Sequence, residues 1–190
     1  MKKSFLILMV MGFVFLGCDS KPKIDGSVIA KQKPQENNNV EFVSQTFNLT
    51  TTNDKVISFK TTQEGVDFTD YKGKKAILID VFATWCPPCI EELPVLKEVR
   101  EKYKDNFEIV SVLFEQDKPK AEILDFISKK NIPYPITVGE ENFKLAKEFG
   151  DIRKVPEMFL FTKEGKFVKK FIGKIPKEEL EQYIKIAIEN

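Results

Sequence analysis

The sequence predicts an α/β fold: a mixed central sheet with helices on both faces and a β-hairpin at its N-terminal end. Three observations predict it. From residue 46 onward the apolar pattern switches repeatedly between the strand period and the helix period. One run, Ala76-Ile-Leu-Ile-Asp-Val-Phe-Ala83, is apolar throughout except for a single acid, as a strand covered on both faces requires. The elements then follow in the order β-β-β-α-β-α-β-α-β-β-α, which short connections fold into one sheet flanked by helices.

Taken in order, Phe47-Asn-Leu-Thr and Val56-Ile-Ser-Phe flank Asn53-Asp54 and predict the hairpin. Lys72-Gly73-Lys74 is a turn leading into the central strand, Ala76 to Ala83. Glu91 to Lys104 carries Leu93, Leu96, Val99 and Tyr103 at spacings of three and four, a helix with one apolar face. Phe107 to Phe114 is a second buried strand. Pro119 to Lys130 sets Ile123, Leu124 and Ile127 on one side of a helix, and Pro133 to Val138 is a short strand. Asn142 to Phe149 is a short third helix. Met158 to Phe161 and Phe167 to Ile172 flank the turn Lys163-Glu-Gly-Lys166. Glu178 to Ile188, opened by Pro176, is the closing helix.

Composition narrows the chemistry. Thirty basic residues against 29 acidic ones leave a net charge of +1, which offers no field for a polyanion, so nucleic acid is not an expected partner. There is no histidine. Every mechanism with imidazole as base or metal ligand is therefore excluded, and Cys, carboxylates or Lys must supply the reactivity.

Residues 1–17 are expected to be a signal peptide. Lys2 and Lys3 precede an apolar stretch from Phe5 to Leu16, shorter than the roughly 20 residues of a spanning helix. The stretch ends in Phe15-Leu16-Gly17-Cys18, which resembles a bacterial lipoprotein signal with Phe where Leu is usual. That resemblance implies lipid attachment at Cys18, and Asp19 fits retention at the inner membrane. An ordinary secretory signal is the alternative. Residues 18–45 are polar, with Gln35-Glu36-Asn37-Asn38-Asn39, and are expected to form a flexible tether. Residues 46–190 are the folded domain, long enough for one core.

Setting Cys18 aside leaves Cys86 and Cys89 as a pair outside the reducing cytosol. They lie in Trp85-Cys86-Pro87-Pro88-Cys89, where the central strand meets its helix. A spacing of three puts both sulfurs on one side of a helical turn, within reach of a disulfide. At a helix N-terminus the first sulfur meets unpaired N–H groups and the positive end of the dipole, so Cys86 is the expected nucleophile. Pro87 and Pro88 suit a first turn but remove two donors to the thiolate, which argues for a reductant over a strong oxidant. Asp80 interrupts an apolar strand, and a buried acid there points to proton exchange with Cys89.

The run Ala76 to Cys89, with Pro94 five residues after the second cysteine and Val155-Pro156 later, resembles thioredoxin. The resemblance spans Phe47 to Asn190 and, through the stretch between the central helix and Pro156 and through the lipid tether, is most similar to the membrane-anchored TlpA/ResA branch. It implies a thioredoxin fold and an extracytoplasmic thiol-disulfide oxidoreductase, some members of which reduce the heme-attachment cysteines of apocytochrome c. It also implies that Pro156 is the cis-proline facing the disulfide and that Val155 pairs with a bound polypeptide. Glu92 matches the glutamate three residues after the second cysteine in the ResA type, and Asp80 the buried aspartate of thioredoxin. Trp85, Pro87 and Pro88 would border the docking surface.

Each reading has a competitor. A structural staple is one, but the closed loop is too short to constrain much chain. A Cu(I) or zinc site is another, but two thiolates leave the ligand set incomplete. Glu92 is otherwise a solvated neighbour of Glu91, Trp85 a core residue, and Pro94 a simple helix kink. A disulfide-donating oxidase and a Cu(I) carrier remain the functional alternatives. The expected partners are disulfide-containing proteins, an integral membrane thiol donor and the membrane itself. No cofactor is expected, and the protein is expected to be a monomer.

Overall fold

The computed structural model describes residues 42–190. The expected signal peptide, Cys18 and the part of the expected tether up to residue 41 lie outside the described residues.

The described chain forms eight strands and four helices. The strands are β1 (Thr46–Thr51), β2 (Val56–Thr62), β3 (Gly65–Phe68), β4 (Ala76–Phe82), β5 (Phe107–Leu113), β6 (Ile136–Val138), β7 (Glu157–Phe161) and β8 (Phe167–Ile172). The helices are α1 (Pro87–Lys102), α2 (Lys120–Lys130), α3 (Glu141–Glu148) and α4 (Lys177–Glu189). One sheet runs in the order β3-β2-β1-β6-β5-β4-β7-β8. Strands β4, β5 and β6 are parallel, and β7 and β8 continue antiparallel from β4. The mixed sheet, the N-terminal hairpin β1–β2 and helices on both faces are those the sequence predicts.

Side-chain alternation along β4 divides the interior in two. Leu78 and Phe82 join Leu93, Leu96 and Val99 of α1 and Leu180 and Ile184 of α4. Ile77, Ile79 and Val81 point the other way, toward Leu145 and Ala146 of α3 and the hairpin residues Phe47, Leu49 and Phe59. Every residue of β4 and β5 is buried. Asp80 shares its parity with Leu78 and Phe82, so it faces α1, the helix that carries both cysteines.

Two differences from the sequence-based reading have local causes. Strand β3 was not predicted: it is four residues long and begins with a glycine, too short to display a period. Its glycine is required by a close approach, since a Cβ at Gly65 would stand 2.2 Å from the carbonyl oxygen of Gly165. Helix α1 begins at Pro87, four residues before the apolar stripe predicts. The first turn consists of Pro87 and Pro88, whose fixed φ suits it and whose missing N–H groups need no partner there.

Candidate active site

The strand β4 ends at Phe82, and four residues later the chain enters α1 through Cys86, which is the N-cap. Cys86 and Cys89 form a disulfide, with their Cα atoms 5.3 Å apart. The Cys89 N–H donates to the Cys86 sulfur at 3.3 Å, the bond a serine or aspartate accepts at an ordinary N-cap. Pro87 and Pro88 fill the two positions between and have no N–H to give, so among the described residues this is the single backbone donor to that sulfur. Cys86 is 2 % exposed and Cys89 4 %, whereas Trp85 immediately before them is 67 % exposed.

Opposite the disulfide, the residues preceding β7 approach from the neighbouring strand. The Val155–Pro156 peptide bond is cis, and the Val155 carbonyl oxygen lies 3.6 Å from the Cys86 sulfur. Val155 is half-buried and Pro156 buried. The Pro156 carbonyl accepts from Gly173 N–H at 2.9 Å, which ties the approach to the end of β8.

Beneath the cysteines lies a buried acidic pair. Asp80 is 2 % exposed and accepts a hydrogen bond from the Ser111 hydroxyl at 2.7 Å. The pairing of β4 with β5 sets Asp80 opposite Ser111, so the register supplies this partner. Burial pushes the Asp80 carboxyl up to about 6, and the Ser111 hydrogen bond offsets part of that rise. Glu92 is 1 % exposed. One of its oxygens accepts from Ile175 N–H at 3.0 Å, and the other is buried with no hydrogen-bond partner. Burial raises Glu92 to about 7; the Asp80 charge adds to the rise, and the Ile175 N–H and the Lys174 charge oppose it. Its neighbour Glu91 is exposed and pairs with Lys174 at 3.0 Å.

Three residues of this site were not singled out from the sequence. Ser111 is the partner of Asp80. Tyr134 is buried in the loop between α2 and β6. Its proton is held well above the ordinary tyrosine range, first by burial and then by the charges of Asp80 and Glu92, with the Ser111 hydroxyl opposing the rise. Glu115, just past β5, accepts from the Thr84 N–H and pairs with Lys118 at 3.3 Å. It fastens the loop that leads into Cys86. The buried stripe of α1 runs Cys89, Glu92, Leu93, Leu96, Val99. Glu92 is thus three residues from Cys89 and four from Leu96, a helical spacing that places it inward by periodicity alone.

The arrangement suits thiol-disulfide exchange: a cysteine pair at a helix N-terminus, an exposed apolar flank, a backbone carbonyl beside the sulfur and buried acids of raised proton affinity. Among the described residues no group of three or more His, Cys, Asp or Glu side chains is placed to hold a metal ion, and no helix is long and apolar enough to cross a membrane.

Comparison with known proteins agrees with this chemistry. The family model described as Redoxin matches residues 29–184. Thiol-disulfide oxidoreductase ResA of Bacillus thuringiensis subsp. konkukian (strain 97-27) is 30% identical over 121 residues, covering 63% of this chain and 67% of the relative. Sporulation thiol-disulfide oxidoreductase A of Bacillus subtilis (strain 168) is 31% identical over 125 residues, 64% of this chain and 74% of the relative. Among solved structures, StoA from Bacillus subtilis superposes with a TM-score of 0.57 at 25% identity, covering 74% of this chain and 97% of that one. With a thioredoxin fold, a Cys-Pro-Pro-Cys disulfide at the head of its central helix and these relatives, the chain belongs to the Redoxin family and is a thiol-disulfide oxidoreductase of the ResA/StoA type.

Proposed function

We propose that the protein is an extracytoplasmic reductant of protein disulfides, acting through Cys86 and Cys89, with apocytochrome c as a client class. The observation that carries the direction of electron flow is the single backbone donor to the Cys86 sulfur. A thiolate that receives few hydrogen bonds is less stabilised, and a less stabilised dithiol form is the more reducing one.

In the reduced protein, the Cys86 thiolate attacks one sulfur of a client disulfide lying across Val155 and Pro156. The client S–S bond breaks, its other sulfur leaves as a thiolate, and a mixed disulfide joins Cys86 to the client. Cys89 then loses its proton to the buried acids, Asp80 or Glu92, and attacks the Cys86 sulfur. The second client thiol leaves, and two electrons have passed from the Cys86–Cys89 pair to the client. Dithiol is restored by an integral membrane thiol donor. Lipid on Cys18 would hold the domain beside that donor.

Replacing Cys86 with Ser is expected to abolish reduction of insulin disulfides, and replacing Cys89 with Ser to accumulate client-linked mixed disulfides on non-reducing gels. Full activity in the Cys86→Ser protein would overturn the proposal. A measured reduction potential near −120 mV instead of the thioredoxin-like region near −270 mV would reassign the protein as an oxidase.

A further inference from the structure

Strand pairing sets one row of side chains across the sheet beneath α1. Asp80 of β4 pairs with Met158 of β7 on one side and with Ser111 of β5 on the other, and Ser111 pairs with Ile136 of β6. Met158 and Ile136 lie in the core cluster that α1 covers, and Tyr134, two residues ahead of Ile136, lies in it too. Its segment is fixed there, because the Ser111 N–H donates to the Pro135 carbonyl at 2.9 Å. Tyr134 is 5 % exposed, and its hydroxyl meets that of Ser111.

The hydroxyls leave one direction for donation. A serine hydroxyl has a single proton to give and two lone pairs to receive with. The Ser111 proton goes to Asp80 at 2.7 Å, so Ser111 can only accept from Tyr134. The phenol suits the donor role, since its proton is held well above the ordinary tyrosine range and stays in place at neutral pH. Donation therefore runs from Tyr134 to Ser111 to Asp80. Each bond in such a line polarises and strengthens the next, and hydrogen bonds to a carboxylate favour its ionised form. No other packed element supplies a cation to Asp80. Glu92 of α1 is itself an acid, Met158 of β7 is uncharged, and Lys174 ahead of α4 is paired with Glu91 and acts on Glu92. A phenylalanine would fill the same space without the cost of burying a hydroxyl, so the hydroxyl calls for a bond.

We propose that Tyr134 is a positioning residue for the second step of exchange: its hydroxyl, acting through Ser111, holds Asp80 as the carboxylate that takes the Cys89 proton. The inference rests on the proton-acceptor role given to the buried acids above and selects Asp80 for it. In that step the Cys89 proton passes to an Asp80 oxygen and the Cys89 sulfur bonds to the Cys86 sulfur. The bond from Cys86 to the client breaks, and its electron pair leaves on the client sulfur. Without the Tyr134 hydroxyl more of Asp80 is already protonated at a given pH, and fewer molecules can accept.

The test uses the full chain and the aryl disulfide dithiobis-nitrobenzoate, which releases one coloured thiolate when Cys86 attacks and a second when Cys89 does. The Asp80 carboxyl is titrated directly by carbon NMR in the oxidised chain, its signal identified by its loss in Asp80→Asn. Ser111→Ala should raise the Asp80 midpoint by about one pH unit, and Tyr134→Phe by roughly a few tenths of a unit. The double variant should shift no further than Ser111→Ala alone, and the pH profile of the second release should move upward by the same amounts. If Tyr134→Phe does not fold, Tyr134→Met must move the midpoint in the same direction. An unchanged Asp80 midpoint in Tyr134→Phe, or shifts that add in the double variant, overturn the positioning role and leave the exchange chemistry standing. A midpoint that moves while the second release keeps its pH profile overturns Asp80 as proton acceptor, and the positioning role with it. Release of no second thiolate by the wild type overturns the exchange reading and the inference together.

Discussion

Asp80 and Glu92 hold protons in the folded protein at pH values where exposed carboxyls have lost them. Asp80 is raised to about 6 and Glu92 to about 7, in both cases chiefly by burial. In the unfolded chain both ionise near the ordinary pH of about 4. Between that pH and the folded values the unfolded chain binds fewer protons than the folded one, so stability falls as pH rises. Their contribution is fully present below about pH 4 and lost once pH passes the folded values. Asp80→Asn is therefore expected to be more stable than the wild type at pH 7.5, on the order of 1–3 kcal/mol, with the gain shrinking toward pH 4. Urea midpoints measured against pH check this, and a wild type whose stability is flat over pH 4–7 would contradict it. If the acids receive the Cys89 proton as proposed, Asp80→Asn and Glu92→Gln will each prolong the mixed disulfide. Asp80 was legible in the sequence because one acid in an apolar strand has to be explained. Glu92 was singled out through its match to the family, and the α1 stripe places it inward as well. Tyr134 and Ser111 were not legible, since an isolated tyrosine in a loop and a serine in a strand carry no mark of what they face.

At the scale of elements, the N-terminus of α1 is built from unusual parts. The N-cap side chain is a sulfur, and the next two residues are prolines, so only Cys89 donates to it. Pro88→Ala would return an N–H to the second position of the helix, where N-cap acceptors are normally met. A second N–H to the reduced sulfur, worth about 1 kcal/mol, should lower the Cys86 thiol pKa by a few tenths to one unit. The pH dependence of alkylation by iodoacetamide measures it, together with a shift of the potential toward oxidising values. No change in alkylation would show that the restored N–H does not reach the sulfur. The hairpin β1–β2 makes a different contribution. Phe47 and Phe59 stack with centroids 5.3 Å apart, and Phe59 also meets Phe68 of β3 at 4.8 Å. Phe59 is 1 % exposed, so Phe59→Ala should cost about 3–5 kcal/mol by denaturant unfolding. A loss under 1 kcal/mol would mean that the hairpin is an appendage and not part of the core. The hairpin was readable from alternation around Asn53-Asp54. Strand β3, with two apolar residues and a glycine held by the distant turn at Gly165, was not.

Across the whole molecule, the sheet order brings three separated segments to one edge: the Cys86 turn, the Val155–Pro156 approach and the end of β5. They are consecutive nowhere in the chain. If Cys18 is the lipid site proposed above, Cys18→Ser will move the protein from the membrane fraction to the soluble one without altering its reduction of insulin in solution. Recovery of that variant with membranes would remove the anchor from the proposal.

Taken alone, the chain of amino acids determined the order and type of nearly every element, the buried central strand, and the dithiol at a helix start. Each of these is written in short-range spacing: period two, period three to four, and a Cys-Pro-Pro-Cys run. Tertiary structure decided which side chains meet: Asp80 with Ser111 through strand register, and Tyr134 with the buried acids. Those contacts depend on where strands distant in sequence lie side by side, which local periodicity does not encode. The same reason explains the raised proton affinities, since the burial that causes them exists only once both faces of the sheet are covered.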